Sequence, residues 1–293
     1  MRRSQANVIL LAIAAIWGLA FVFQKTAMDH IGPFLFLAAR ALIASIALAP
    51  LAWREHVRLG TRVPAGFWAI ALCGGATFFL GGILQQIGLV TATVTNTGFL
   101  TGLYVIVTPF LSWLFLNRPP TGIVWPSVVL AFVGTWFLGG GTLGGFSIGD
   151  WLVALSAFFW SAHILVVAQS AKHARPVGFT AVQFFGVAIV SLSGAAAFEN
   201  ISWSELQGAV LEIAYVGFLS SALTFTLLAV AMRYTPAVEA TILVSMETVF
   251  AALCAMVLLG ETLSPIGWVG AAMMFLASML VQIAPANVDK RAP

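Results

Sequence analysis

The chain is a succession of apolar runs, each about twenty residues long, with very little between them. Wound as an α-helix at about 1.5 Å per residue, such a run crosses the ~30 Å hydrocarbon core of a bilayer. With 61% hydrophobic and 8% charged residues in 293, the chain cannot clothe a water-facing surface at ordinary charge density. Ten spans can be marked: 6–28, 33–53, 66–88, 93–116, 121–139, 150–170, 177–197, 209–231, 237–259 and 266–284. Hydrocarbon offers no water to backbone N–H and C=O groups, so runs of this length are helical. The expected fold class is an all-α integral membrane protein of ten transmembrane helices. The basic start "MRRSQANVILLAIAAIWG" is read as a retained first span, because its apolar run is too long for a signal core and no small-x-small site closes it. Cys73 and Cys254 fall within spans, and no disulfide framework is expected.

Lys and Arg in short loops are retained on the cytoplasmic side during insertion. Counting from an inside N-terminus, Arg2, Arg3, Arg54, Arg58, Arg62, Arg118, Lys172, Arg175, Arg233, Lys290 and Arg291 all fall inside. Asp29, Asp150, Glu199, Glu205 and Glu261 fall outside. Both termini are therefore expected in the cytoplasm of a bacterial cell, with the chain multi-pass in the inner membrane. The net charge of +3 reflects this asymmetry, and no nucleic-acid patch is expected.

The two halves superpose at a constant shift of 143 residues, pairing Trp17 with Trp160, Pro33 with Pro176, Gly74 with Gly217 and Trp125 with Trp268. Five spans per half is an odd number, so the second half enters the membrane upside down. Paired charges reverse sign accordingly: Asp29 with Lys172, Arg62 with Glu205, Arg118 with Glu261. The expected organisation is two inverted five-helix repeats, residues 1–143 and 144–293, within one membrane domain. Inverted halves serve alternating access, in which exchanging their conformations turns an outward-open cavity into an inward-open one.

"IWGLAFVFQK" at Ile16–Lys25 and "SMETVFAALCAMVLLGETLS" at Ser245–Ser264 resemble the repeat signatures of the drug/metabolite transporter superfamily, in its ten-span EamA-like branch. The resemblance covers essentially the whole chain and is closest in type to bacterial aromatic amino-acid and methyl viologen exporters. It implies a central cavity enclosed by spans one, three, four, six, eight and nine, with five and ten peripheral. Two departures stand out: Thr248 replaces the proline usual after the span-nine Glu, and the first-half "GE" is Asn117-Arg118.

Several residues are candidates for a solute site. Thr93, Thr97, Thr101, Tyr104 and Thr108 recur along one side of a helix, with Asn96 beside them and Gly98 and Gly102 in a GxxxG arrangement on another side. A threonine in a span can also bond its own helix one turn back, without lining anything. Most tryptophans fall near span ends, where indole favours the headgroup region, but the repeat-related Trp17 and Trp160 are mid-span. Phe78 and Phe79 are also mid-span, and at least one is expected to face inward. A cavity for amino acids needs polar groups, expected from Asn96 and Thr97, and an aromatic wall, expected from Trp17, Phe79 and Trp160. His163 lies one turn from Trp160 and is assigned to the same site. Glu247 is a mid-span carboxyl whose repeat partner is Tyr104, a pair suited to coupling or to an interhelical bond. Glu239, Lys25 and Arg40 lie nearer span ends, where long side chains reach the interface, and structural roles are expected for them.

No metal ligand set, cofactor motif, P-loop, HExxH or CxxC is present. "GFSIG" at Gly145–Gly149 matches G-x-S-x-G, yet a nucleophile elbow needs a strand-to-helix turn in an α/β sheet. The sequence therefore predicts a carrier and no enzyme, acting as a monomer or weak homodimer in lipid. It is expected to export small organic solutes, aromatic or neutral amino acids, by alternating access driven by gradients. The alternative is uptake or exchange of another metabolite, such as a nucleotide-sugar or carboxylate; an intramembrane enzyme is a third reading.

Overall fold

The computed structural model describes residues 1–117, 122, 124–141 and 146–283, and all regular structure among them is helical. The expectations placed on Arg118, Gly145, Lys290 and Arg291, and on the 143/144 boundary, lie outside the described residues. In chain order the helices are α1 (Arg3–Ala27), α2 (Pro33–Leu59), α3 (Ala65–Thr91), α4 (Val94–Thr101), α5 (Tyr104–Leu116), α6 (Val124–Leu138) and α7 (Ile148–Ser170). There follow α8 (Pro176–Phe198), the short α9 (Trp203–Gly208) and α10 (Val210–Ala214), a π-helical stretch (Tyr215–Leu223), α11 (Thr224–Ala231), α12 (Ala237–Val244), α13 (Glu247–Leu258) and α14 (Pro265–Ile283).

Eight helical stretches are long and apolar enough to cross a membrane: Arg3–Ala27, Pro33–Leu59, Ala65–Thr91, Val94–Leu116, Ile148–His173, Pro176–Phe198, Val210–Ala231 and Ala237–Leu258. They match eight of the ten expected spans. The fifth and tenth are the shorter apolar helices α6 and α14. At 15 residues, α6 is about 23 Å long, less than a hydrocarbon core of about 30 Å. These two helices lie against each other, and a Cβ on Gly134 would stand 2.8 Å from the Gly270 carbonyl oxygen. Small residues permit that backbone approach, which supplies helix contact where apolar burial gives no drive.

Polar groups at the helix ends are met from neighbouring helices. Pro33 and Pro176, placed first in α2 and α8, have the φ a helix start needs and no N–H to satisfy. The next free N–H groups of α2, on Phe34 and Leu35, donate to Glu199 at the end of α8, both at 2.8 Å. Those of α8, on Val177 and Gly178, donate to Glu55 near the end of α2, at 3.2 and 2.8 Å. Each helix thus seats its carboxylate on the other's positive end, and the two run antiparallel. Glu261 does the same for α4, accepting from Val94 N and Thr95 N at 3.0 Å each. At the end of α3, Lys25 Nζ donates to the carbonyls of Leu89, Val90 and Ala92 at 2.8, 3.2 and 3.0 Å. Lys25 therefore ties α1 to α3, a structural role of the kind expected for it.

The expected fourth and ninth spans are each broken in the middle. Between α4 and α5 the ladder shortens to Leu103 N–Leu100 O and Val105 N–Gly102 O. Between α12 and α13 it shortens to Met246 N–Leu243 O and Thr248 N–Ser245 O. The two interruptions occupy positions 143 residues apart, the same shift that relates the halves in sequence. The Gly98 and Gly102 pair lies against α13, where a Cβ would meet Ala251 Cβ at 3.2 Å and Thr248 Cγ2 at 2.8 Å. The close approach expected from GxxxG is thus present.

The antiparallel α2 and α8 set a topology test. Arg58 and Ser204, just inside and just beyond their respective C-terminal ends, are both exposed. In a Cys73→Ser, Cys254→Ser background within sealed vesicles, a cysteine at Ser204 is expected to react with an impermeant thiol reagent from outside. One at Arg58 is expected to react only from inside. Reaction of both from the same face would contradict the antiparallel arrangement.

Candidate functional site

A cavity lies where the two broken helices meet α1, α2, α3, α7, α11 and the π-helical stretch. Its walls are Trp17, Phe21 and Gln24 from α1, Arg40 from α2, Gln85 from α3, Thr101 and Tyr104 at the first break, and Trp160, His163 and Ile164 from α7. Ser220, Phe225, Leu228 and Glu247 complete it.

One wall is aromatic. Phe78 is fully buried behind it and meets Trp160 edge-on at 5.1 Å, His163 at 5.5 Å and Phe225 at 5.0 Å between ring centroids. Trp17 packs on Phe225 at 4.8 Å and is oriented by its Nε1, which donates to Thr224 Oγ1 at 2.8 Å and to Ser220 O at 3.1 Å. Its repeat counterpart Trp160 has no such partner: the buried Nε1 bonds to nothing among the described residues. His163 is oriented through Nδ1, which lies 3.1 Å from Gly74 O and 3.2 Å from Thr77 Oγ1. Carbonyl oxygen only accepts, so Nδ1 carries the proton in the neutral ring and the unpartnered Nε2 holds a bare lone pair.

The polar side is built at the helix breaks. Tyr104 begins α5 and Glu247 begins α13, and the phenol donates to Glu247 Oε1 at 2.8 Å, joining positions 143 residues apart. Beside them Gln85 Nε2 donates to Thr101 Oγ1 at 2.8 Å. Arg40 is 4% exposed; its Nε donates to Ser221 Oγ and its Nη1 to Gln24 Oε1, both at 3.0 Å.

The structure brings together Trp17, Tyr104, Trp160, His163 and Glu247, and separates three other expected site residues from them. Phe79 points into a different groove, between α3 and α8, because neighbours on a helix differ by 100° and Phe78 takes the inward direction. Asn96 lies at the start of α4, with Nδ2 donating to Asp150 Oδ1 at 3.2 Å. Thr97 is buried but spends its hydroxyl on Thr93 O at 2.8 Å, one turn back in its own helix. The threonine stripe therefore divides: Thr101 and Tyr104 reach the cavity, while Thr97 and Thr108 bond to their own backbone. Arg40 does not reach an interface; it turns inward. Its eighth place in α2, with Gln24 and Gln85 likewise inside apolar spans, was the available signal. Ser147 of "GFSIG" is the N-cap of α7, its hydroxyl accepting from Asp150 N at 3.1 Å. Among the described residues no three His, Cys, Asp or Glu side chains cluster to hold a metal.

Among the described residues, an all-helical bundle with eight helices long and apolar enough to cross a membrane, and a cavity of mixed polarity between them, defines a polytopic membrane protein. The chain belongs to the EamA-like transporter family, whose pattern matches residues 5–140 and again residues 147–283. An uncharacterized transporter of Archaeoglobus fulgidus is 31% identical over 288 residues, covering 97% of this chain and 87% of that one. The threonine/homoserine exporter RhtA of Escherichia coli is 29% identical over 281 residues, covering 93% and 89%. The uncharacterized transporter YwfM of Bacillus subtilis is 26% identical over 290 residues, covering 97% and 96%. One solved structure shares the fold, with a TM-score of 0.75 at 18% identity over 96% of both chains.

The Tyr104–Glu247 bond carries a stability prediction. Tyr104→Phe leaves a buried carboxyl oxygen without its donor, and a loss of about 1–3 kcal/mol is expected. A lowered melting temperature in detergent measures it. Glu247→Gln keeps an accepting oxygen and is expected to lose less than Glu247→Leu; equal losses would remove the hydrogen bond from the account.

Proposed function

We propose that this protein is a secondary transporter exporting neutral and aromatic amino acids across the bacterial inner membrane. It works by alternating access between two inverted five-helix repeats, residues 1–143 and 144–293, with ten spans and both termini cytoplasmic. The observation that carries the reading is the cavity at the junction of two helices broken at repeat-related positions. Broken helices leave backbone groups and short rigid arms beside a midplane site, as rocking carriers require. The double match of the family pattern and the mutual capping of antiparallel α2 and α8 support the inverted arrangement. The relatives that export threonine and homoserine support amino acids as the solute class. The wall of Trp17, Trp160 and Phe225, backed by Phe78, favours solutes that also carry an apolar or aromatic side chain.

Proteoliposomes preloaded with labelled threonine, homoserine, phenylalanine or tryptophan test this directly, with and without a pH gradient. Efflux of at least one amino acid above empty-liposome leakage is expected. Failure of all, with efflux of another metabolite class, would overturn the solute assignment. Trp160→Ala is expected to lower efflux of phenylalanine and tryptophan about 2- to 10-fold relative to threonine, the value of one aromatic contact. An unchanged profile in a folded, monodisperse variant would assign Trp160 to packing alone.

A further inference from the structure

Arg40 is a cation with no anion. Among the described residues no carboxylate lies within ion-pair distance of it, and its two hydrogen bonds go to the neutral Gln24 and Ser221. Its remaining terminal nitrogen, Nη2, bonds to no described group, and the side chain lines the cavity. The face of Phe78, 5.7 Å from the guanidinium carbon, supplies a weak cation–π contact only. A guanidinium held this deep in a membrane protein is costly unless something repays its desolvation.

The fold itself does not require a cation there. The position 143 residues on, in the paired helix α8, is Gln183, and the counterpart of Ser221 is Phe78. The second half thus builds the same place on the same kind of helix without charge. The first half also prepares the Arg40 site. Gln24 is fixed by donating to Ala20 O at 3.2 Å, leaving its Oε1 to face Arg40, and Ser221 is presented by the π-helical stretch, whose counterpart in α3 is regular. A wider turn of this kind inside a membrane helix commonly marks a functional place.

We propose that Arg40, oriented by Gln24 and Ser221, receives the carboxylate of the transported solute. The free Nη2 keeps its N–H donors available for a charge-assisted bond to a carboxylate oxygen. The unpartnered Trp160 Nε1–H on the same cavity supplies a neutral donor, and the bare His163 Nε2 an acceptor for an ammonium. Arg40 is the only Lys or Arg lining the cavity among the described residues, and Glu247 the only acid. That balance fits a zwitterion bearing one carboxylate, whereas a phosphate dianion would meet a single cation. The proposal rests on the transporter reading above and names the group by which the solute is held.

Binding of phenylalanine, phenylalanine amide, threonine and threonine amide to purified protein in detergent, followed by intrinsic tryptophan fluorescence, separates the two readings because it needs no transport. In the parent protein each free acid is expected to bind at least tenfold more tightly than its amide. In Arg40→Gln that ratio falls to near one, and Arg40→Lys retains part of it. A parent protein that binds acid and amide equally, or binds no acid, overturns the proposal without any variant. So does a folded Arg40→Gln that keeps the parent's ratio. Selective acid binding combined with absent efflux would overturn amino-acid export and leave the carboxylate anchor standing.

Discussion

Inside hydrocarbon a backbone N–H or C=O released from its helix finds no water, so a break there must be met by the protein itself, and groups freed near the helix ends gain from a partner on a neighbouring segment. That constraint governs how this bundle is assembled. Glu199 and Glu55 cap the starts of α2 and α8, Glu261 caps α4, and Lys25 closes the end of α3. Each of these groups comes from a different segment of the chain than the helix it serves, so satisfying the ends also fixes which segments are neighbours. The interior breaks at 102–103 and 245–246 are eased by backbone bonds that reach back three residues in place of four, and both lie beside the cavity. A break facing lipid would have had no such relief.

The cavity follows from the breaks. Shortening two helices' ladders side by side turns the first residues of α5 and α13 toward one another, and those residues are Tyr104 and Glu247. The aromatic wall faces this polar side with a surface that accepts an apolar group without demanding a hydrogen bond. Phe78 is central to it because it touches Trp160, His163, Phe184 and Phe225 and also underlies the Arg40 guanidinium.

Features that depend on chain-wide composition or on a register shift were legible in the sequence. The apolar runs marked eight of the long helices within a few residues, and the 143-residue shift anticipated that Trp17 and Trp160 would meet one cavity and that Tyr104 would be matched with Glu247. Features that depend on which side of a helix faces inward were less so. Phe78 and Phe79 are adjacent and chemically identical, and only packing of α3 on α7 decides between them. Thr97 and Thr101 are one turn apart on the same stripe of α4, but Thr97 bonds Thr93 O while Thr101 accepts from Gln85 and reaches the cavity, so the stripe does not act as one surface. The break at Ser245–Met246 has neither proline nor glycine to announce it. Arg40 looked like a snorkelling side chain because its distance from the span start was short, and only its contacts with Gln24 and Ser221 reveal the inward turn.

The halves share a framework and differ where they meet. Positions related by the 143-residue shift that face each other at the centre cannot both be tyrosine or both be glutamate without losing something. Two phenols would leave no strong acceptor, and two carboxyls would share at most one proton and otherwise repel. The Tyr104–Glu247 bond therefore needs one half to have diverged from the other at that position. The same holds around the cavity: Arg40 against Gln183, Ser221 against Phe78, and a π-helical stretch in one half against regular α3 in the other. A framework repeated twice can keep helix lengths, breaks and caps alike, since those answer to the bilayer. The cavity answers to no such constraint, and on its walls the halves differ in polarity: Tyr104 against Glu247, Gln85 against Leu228, and Arg40 where the second half has Gln183.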